Sequence, residues 1–180
     1  MIPIEKMTPV ELAGFVGEHL GRHGVNVVLS GGACVAYYSE GKYVSLDLDF
    51  VNVASERFKK IQTAMFEIGF EERNRYFSHT DTDYLIEFPP GPLAVGDEQI
   101  TEVVEVKTDM GAFRIISPTD CVKDRLAAYY HWGDLPCLEQ AVMVAVENKV
   151  DLDELKRWSE VENSIEKFQV FLEKKASEAT

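Results

Sequence analysis

The chain has 180 residues, enough for one compact domain with a substantial core, and a formal net charge of −13. Hydrophobic residues make up 46% and charged residues 27%, ordinary for a soluble globular protein, and no apolar run approaches the roughly 20 residues of a membrane span. The acidity argues against an extended nucleic-acid surface, which needs a basic footprint, but not against a local site where a metal ion supplies the positive charge.

The N-terminal "MIPIEKMTPVEL" is not a signal peptide. "TPVELAGFVGEHLGRHG" reads as an amphipathic helix with Thr8 as N-cap, Pro9 at the first helical position, Glu11 completing a capping box and Gly24 as C-cap. "VNVVLSG" is a short buried strand, and "GACVAYYSE" a short helix closed by Gly41. "VSLDLDFVNV" alternates as a second strand. Ser45, Asp47 and Asp49 then share one face, while Val44, Leu46, Leu48 and Phe50 point to the other.

"SERFKKIQTAMFEIGF" predicts a helix capped by Ser55 and ended by Gly69. "RYFSHT", "DYLIEF", "TEVVEVKT" and "AFRIIS" are further strand candidates, with "PPGPLAVGDEQ" a loop between them. From "SPTDCVKDRLAAYYHW" onward the pattern is helical, over about Thr119–Trp132, Pro136–Asn148, Asp151–Glu160 and Ser164–Ser177. The expected architecture is α+β: a mixed sheet flanked by helices over residues 1–117, followed by a helical extension over 118–180. Cys34, Cys121 and Cys137 are scattered and lack C-x-x-C pairing, which argues against a zinc site or a disulfide framework and favours a reducing cytoplasm.

Two features carry chemistry. "LSGG" ends a strand and opens a helix, so the Gly31 and Gly32 amides can meet an anion at close range. After residues 33–46 come Asp47 and Asp49, whose spacing on a strand lets both carboxylates bracket one or two divalent cations. A third acid from a neighbouring strand completes such a site. Glu87 on the apolar "DYLIEF" strand is the first candidate, with Asp83 of the same parity and Glu105 as rivals. A lone D-x-D is a weak signal, often just a solvated strand face; the glycine turn upstream is what strengthens it.

Strand, "GG", short helix and "SLDLDF" together resemble the nucleotidyltransferase fold of the DNA polymerase beta superfamily, and within it AbiEii-type and related stand-alone nucleotidyltransferase-like proteins. The likeness covers Val25–Val51, with a second segment in "ISPTDCVKDRLAAYYHWGD". It implies that Ser30, Gly31 and Gly32 hold nucleotide phosphates, with the Ser45 hydroxyl beside them. Asp47, Asp49 and Glu87 would then be catalytic ligands of Mg2+ or Mn2+. The family's lysine falls on Arg125, with Lys123 two residues before it. The implied partners are an NTP, an acceptor not identified by the sequence, and potentially a protein partner of the toxin–antitoxin kind.

Two further readings stand beside an enzyme that moves a nucleoside monophosphate from an NTP to a hydroxyl. One is a non-catalytic nucleotide-binding or regulatory module. The other is a phosphohydrolase, disfavoured because His19, His23, His79 and His131 form no evident set with the aspartates. Elsewhere, His131 reads as a helix-end residue, Tyr129, Tyr130 and Trp132 as packing aromatics with base stacking as the rival role, Asp134 as a helix cap or a continuation of the family-like segment, and Cys34 as a core residue.

Overall fold

The structure, a computed structural model, describes residues 2–54 and 57–178. After a 3-10 turn at Ile4–Lys6 the elements run α1 (Pro9–Arg22), β1 (Val27–Ser30), α2 (Gly31–Tyr38), β2 (Asp47–Asn52), α3 (Phe58–Glu67), β3 (Glu71–Arg73), β4 (Tyr76–His79) and β5 (Thr82–Glu87). They continue with β6 (Ala94–Val95), β7 (Glu98–Gln99), β8 (Val103–Thr108), β9 (Gly111–Ile116), α4 (Pro118–Trp132), α5 (Leu135–Glu147), α6 (Leu152–Val161) and α7 (Ile165–Glu178). The chain is α+β, with a mixed sheet flanked by helices and a helical C-terminal part. Among the described residues the main sheet has seven strands in the order β3-β4-β5-β2-β1-β9-β8. No helix among them is long and apolar enough to cross a membrane.

Local chemistry accounts for the helix starts. The Thr8 side chain accepts from the Glu11 N–H while Glu11 reaches back to the Thr8 N–H, the reciprocal capping box expected of this sequence. Leu12, Ala13, Val16 and Leu20 form the buried stripe of α1. The helix lies close to β9 because Gly17 has no side chain: a Cβ there would sit 2.7 Å from Phe113 Cβ and 2.9 Å from the Ala112 carbonyl oxygen. α4 to α6 are capped in turn by Ser117, Asp134 and Asp151, each accepting from an N–H three residues on.

Among the described residues the buried side chains form one cluster, running from Leu12 on α1 through Phe50 and Phe77 in the sheet to Trp158 and Phe171 in the C-terminal helices. Tyr130 stacks on Trp158 with ring centroids 5.5 Å apart, and its hydroxyl meets Ser159 Oγ at 2.8 Å.

Some expectations need correction. β2 begins only at Asp47, and Val44 and Leu46 are 68% and 58% exposed instead of facing the core. Their apolar alternation continues that of β2, but 41–46 is a loop at the rim of the sheet. β3 was not foreseen because "EER" carries no apolar alternation; it pairs with β4 at the sheet edge. The expected loop "PPGPLAVGDEQ" contains the two-stranded β6–β7 hairpin, turned by Gly96 at φ +58° followed by Asp97. Ser55, the expected cap of α3, lies outside the described residues; Arg57 precedes α3 with no side-chain cap bond.

Candidate active site

The site forms where β1 turns into α2. Ser30 holds extended backbone at φ −138°, and its hydroxyl donates to the Asp49 carbonyl oxygen at 3.3 Å. α2 then starts at Gly31, whose φ of +67° suits glycine alone, and a Cβ there would overlap Asp49 Oδ2. The glycine turn and the second aspartate therefore occupy one small space. First-turn N–H groups of a helix have no acceptor within it, so the amides opening α2 face the same region as the Asp49 carboxylate.

Strand register gathers the acids. β1 pairs antiparallel with β2, setting Ser30 opposite Asp49. β2 pairs parallel with β5, setting Asp49 beside Glu87 and Asp47 beside Leu85. Burial, reinforced by the charges of Glu87 and Asp47, pushes the Asp49 carboxyl up to about 6. Ser45 Oγ donates to the Asp47 carbonyl oxygen at 2.9 Å and lies 3.0 Å from where a Cβ on Gly32 would be. Asp47, Asp49, Glu87, Ser30, Gly31, Gly32 and Ser45 are thus brought together. The rivals are not. Asp83 is exposed near the start of β5, and Glu105 is exposed on β8, at the far edge of the sheet and paired in register with Arg114.

The two basic candidates on α4 separate. The charge of Arg125 reaches Asp49 and opposes its upward shift. Its guanidinium is held by Asp124, with Nε 3.1 Å from Oδ2, and by Gln140, with Nη1 3.3 Å from Oε1. Lys123 turns elsewhere. Its side chain is 8% exposed and its ammonium lies 2.6 Å from Glu154, 3.7 Å from Glu98 and 4.0 Å from Asp120, so it braces α4 against α6 and the β6–β7 hairpin. Residues two apart on a helix face different ways, so they could not both have reached the acids.

A cation not foreseen from the sequence is Arg75, whose Nε lies 3.5 Å from Glu87 Oε1. Only the register of β4 with β5, which sets Tyr76 opposite Glu87, brings it there. Trp132, expected to pack, is instead 79% exposed at the end of α4, where no core reaches it; the other remaining candidates have structural roles. His131 meets Glu162 at 2.9 Å, Asp134 caps α5, and Tyr129 and Tyr130 are buried and cannot stack on a base. Cys34 is buried and gives its Sγ–H to the Leu29 carbonyl oxygen, as a core residue would.

Asp49 and Glu87 lie side by side in register with Asp47 two residues before Asp49, and burial first, then the charges of Glu87 and Asp47, push the Asp49 carboxyl up; carboxylate oxygens are the donor type that Mg2+ or Mn2+ takes. An apolar cavity of about 430 Å3 is lined by Tyr37, Tyr43, Tyr84, Leu48 and Ser45; Leu48 and Tyr84 alternate with the acids along β2 and β5, so it lies against the other face of the sheet.

No protein-family model matches the chain, and no curated protein is significantly similar to it. Among solved structures it is similar to the antibiotic-resistance factor ANT(2'')-Ia, studied in solution, with a TM-score of 0.48 and 13% identity over 86% of this chain and 95% of that one.

Proposed function

We propose that the chain transfers a nucleoside monophosphate from an NTP to a hydroxyl acceptor, releasing pyrophosphate. The observation behind this reading is the junction of the Gly31–Gly32 helix start with Asp49, and of Asp49 with Glu87 across parallel strands. The amides opening α2 bind phosphate oxygens, and the absent side chain of Gly31 lets them come close. Asp47, Asp49 and Glu87 would hold Mg2+ or Mn2+, which when bound neutralises charge on the phosphates and makes the acceptor hydroxyl easier to ionise. The acceptor oxygen forms a bond to the α-phosphorus as the bond to the β-phosphate oxygen breaks. The hydroxyl proton leaves to a carboxylate of the cluster, and Arg125 and Arg75 supply positive charge at its margins.

The test is incubation of the purified chain with each α-labelled NTP, Mg2+ or Mn2+ and a cell extract. Label should appear on an acceptor with wild type and be absent with Asp47→Ala. Equal labelling by Asp47→Ala would exclude the acids as the catalytic site.

A second reading is a non-catalytic nucleotide-binding module, of the regulatory or toxin–antitoxin kind. Arg125 favours it, because its fork is bonded to Asp124 and Gln140 where the resemblance has a lysine, and an arginine does not replace a lysine point charge. That reading expects NTP with Mg2+ to raise the melting temperature without any label transfer. A cytoplasmic setting accords with Cys34, Cys121 and Cys137 all being buried and free.

A further inference from the structure

Away from the acids, the last turn of α1 meets the end of α3. His19 and His23 stand four residues apart and therefore on one helix face, and Glu67 closes α3 opposite them. His23 Nε2 is 2.9 Å from Glu67 Oε2, His19 Nε2 is 3.8 Å from the same oxygen, and the two rings are 4.6 Å apart between centroids. Among the described residues these are the three side chains whose ligand atoms gather within 4.8 Å of one another with the composition of a metal site.

We propose that His19, His23 and Glu67 bind one borderline divalent transition-metal ion of the Zn2+ class, tying the C-terminal end of α1 to that of α3. Two imidazoles and one carboxylate form a three-residue ligand set that leaves a coordination position open to water. Tetrahedral donors about 2 Å from an ion stand about 3.3 Å from one another, so side-chain rotation closes the remaining gap. The i, i+4 spacing places His19 in the last turn of α1 and His23 at its C-cap, so both rings come from one helix end. His19 Nε2 also lies 2.9 Å from the Ala64 carbonyl oxygen, a hydrogen bond that it exchanges for the ion when the ring turns toward His23 and Glu67. His19 is partly buried and His23 and Glu67 are accessible, so an ion can enter from solvent.

This site differs from the acid cluster in ligand softness. Imidazole selects Zn2+, Co2+ or Ni2+, whereas the all-carboxylate set favours Mg2+ or Mn2+. No cysteine takes part, so the scattered thiols do not argue against it. The inference is independent of the nucleotide-transfer reading. A helix-end ion pair between His23 and Glu67 is the alternative, and it needs no metal.

The experiment is calorimetric titration of the chelator-treated full chain with Zn2+ in the presence of excess Mg2+. One equivalent should bind, His19→Ala and His23→Ala should each weaken binding by about tenfold or more, and Asp49→Asn should leave it unchanged. Co2+ added to the unmodified chain should give the intense visible absorption of a tetrahedral site, a readout that does not depend on how the variants fold. Absence of Zn2+ binding, binding unchanged in both histidine variants, or a Co2+ spectrum of the octahedral aqueous type would each overturn the proposal.

Discussion

Asp49 and Glu87 stand side by side at the same level of two parallel strands, so both carboxylates project from one face of the sheet beside the start of α2. Burial disfavours ionisation of Asp49, and the neighbouring charges of Glu87 and Asp47 add to the cost. The ionised Asp49 carboxylate is thus a destabilising element of the fold.

That gives the pH dependence its sign. A carboxyl pushed up to about 6 holds its proton more tightly folded than unfolded, so its contribution is fully favourable below the ordinary carboxylate value near 4. It is lost as pH rises through about 6. Asp49→Asn should therefore melt higher than wild type at pH 8 in EDTA, by roughly 1–3 kcal/mol, with the difference vanishing below pH 4. Adding Mg2+ at pH 8 should stabilise wild type and not the variant. Thermal melts across pH with and without Mg2+ measure both.

Gly31→Ala should be destabilising by about 1–2 kcal/mol from its left-handed backbone alone, with more from the overlap with Asp49 Oδ2. Because Asp49 must move, the variant should also lose Mg2+-dependent NTP binding. Gly32→Ala should be milder, since the neighbour it crowds is the Ser45 hydroxyl. Denaturant unfolding and NTP thermal shifts would rank the two, and a Gly32→Ala defect larger than that of Gly31→Ala would contradict this geometry.

Arg125 lowers the Asp49 value from across the site, so Arg125→Ala should drive Asp49 still further upward. It should also cost about 1–3 kcal/mol, because Asp124 and Gln140 lose their partner. Arg125→Lys should restore most of the titration shift and less of the stability, since a point charge cannot reproduce the fork. Carboxyl resonances followed by NMR through a pH titration would separate the two effects.

Lys123 offers the contrasting case. Lys123→Met should destabilise by about 1–3 kcal/mol, because Glu154, Glu98 and Asp120 are left with less counter-charge, although Arg157 still pairs with Glu98 and Glu154. NTP binding should be unchanged within error once the variant is folded. A selective loss of binding would return Lys123 to the site.

Much of the fold was legible because local signals decide it. Thr8–Pro9–Glu11 marks the start of α1 by its own hydrogen bonds and that start holds, while α4 and α5 begin a residue before their expected starts, capped by Ser117 and Asp134. Misreadings fall where a local pattern had no tertiary partner. Val44 and Leu46 continue the alternation of β2 but have no core to enter, while β3 has no alternation and exists only through its pairing with β4.

For the site, the sequence alone determined the glycine turn, the two aspartates on one strand face, and the chemical character that follows from hard oxygen donors near free amides. Tertiary structure decided the rest. Choosing Glu87 over Asp83 and Glu105 required the parallel register of β2 with β5, and separating Arg125 from Lys123 required the way α4 packs. Arg75 beside Glu87, and His19 and His23 beside Glu67, came from elements distant in the chain. The physical reason is that backbone conformation and alternation are set by neighbours in sequence, whereas a charge finds its partner through strand pairing and helix packing.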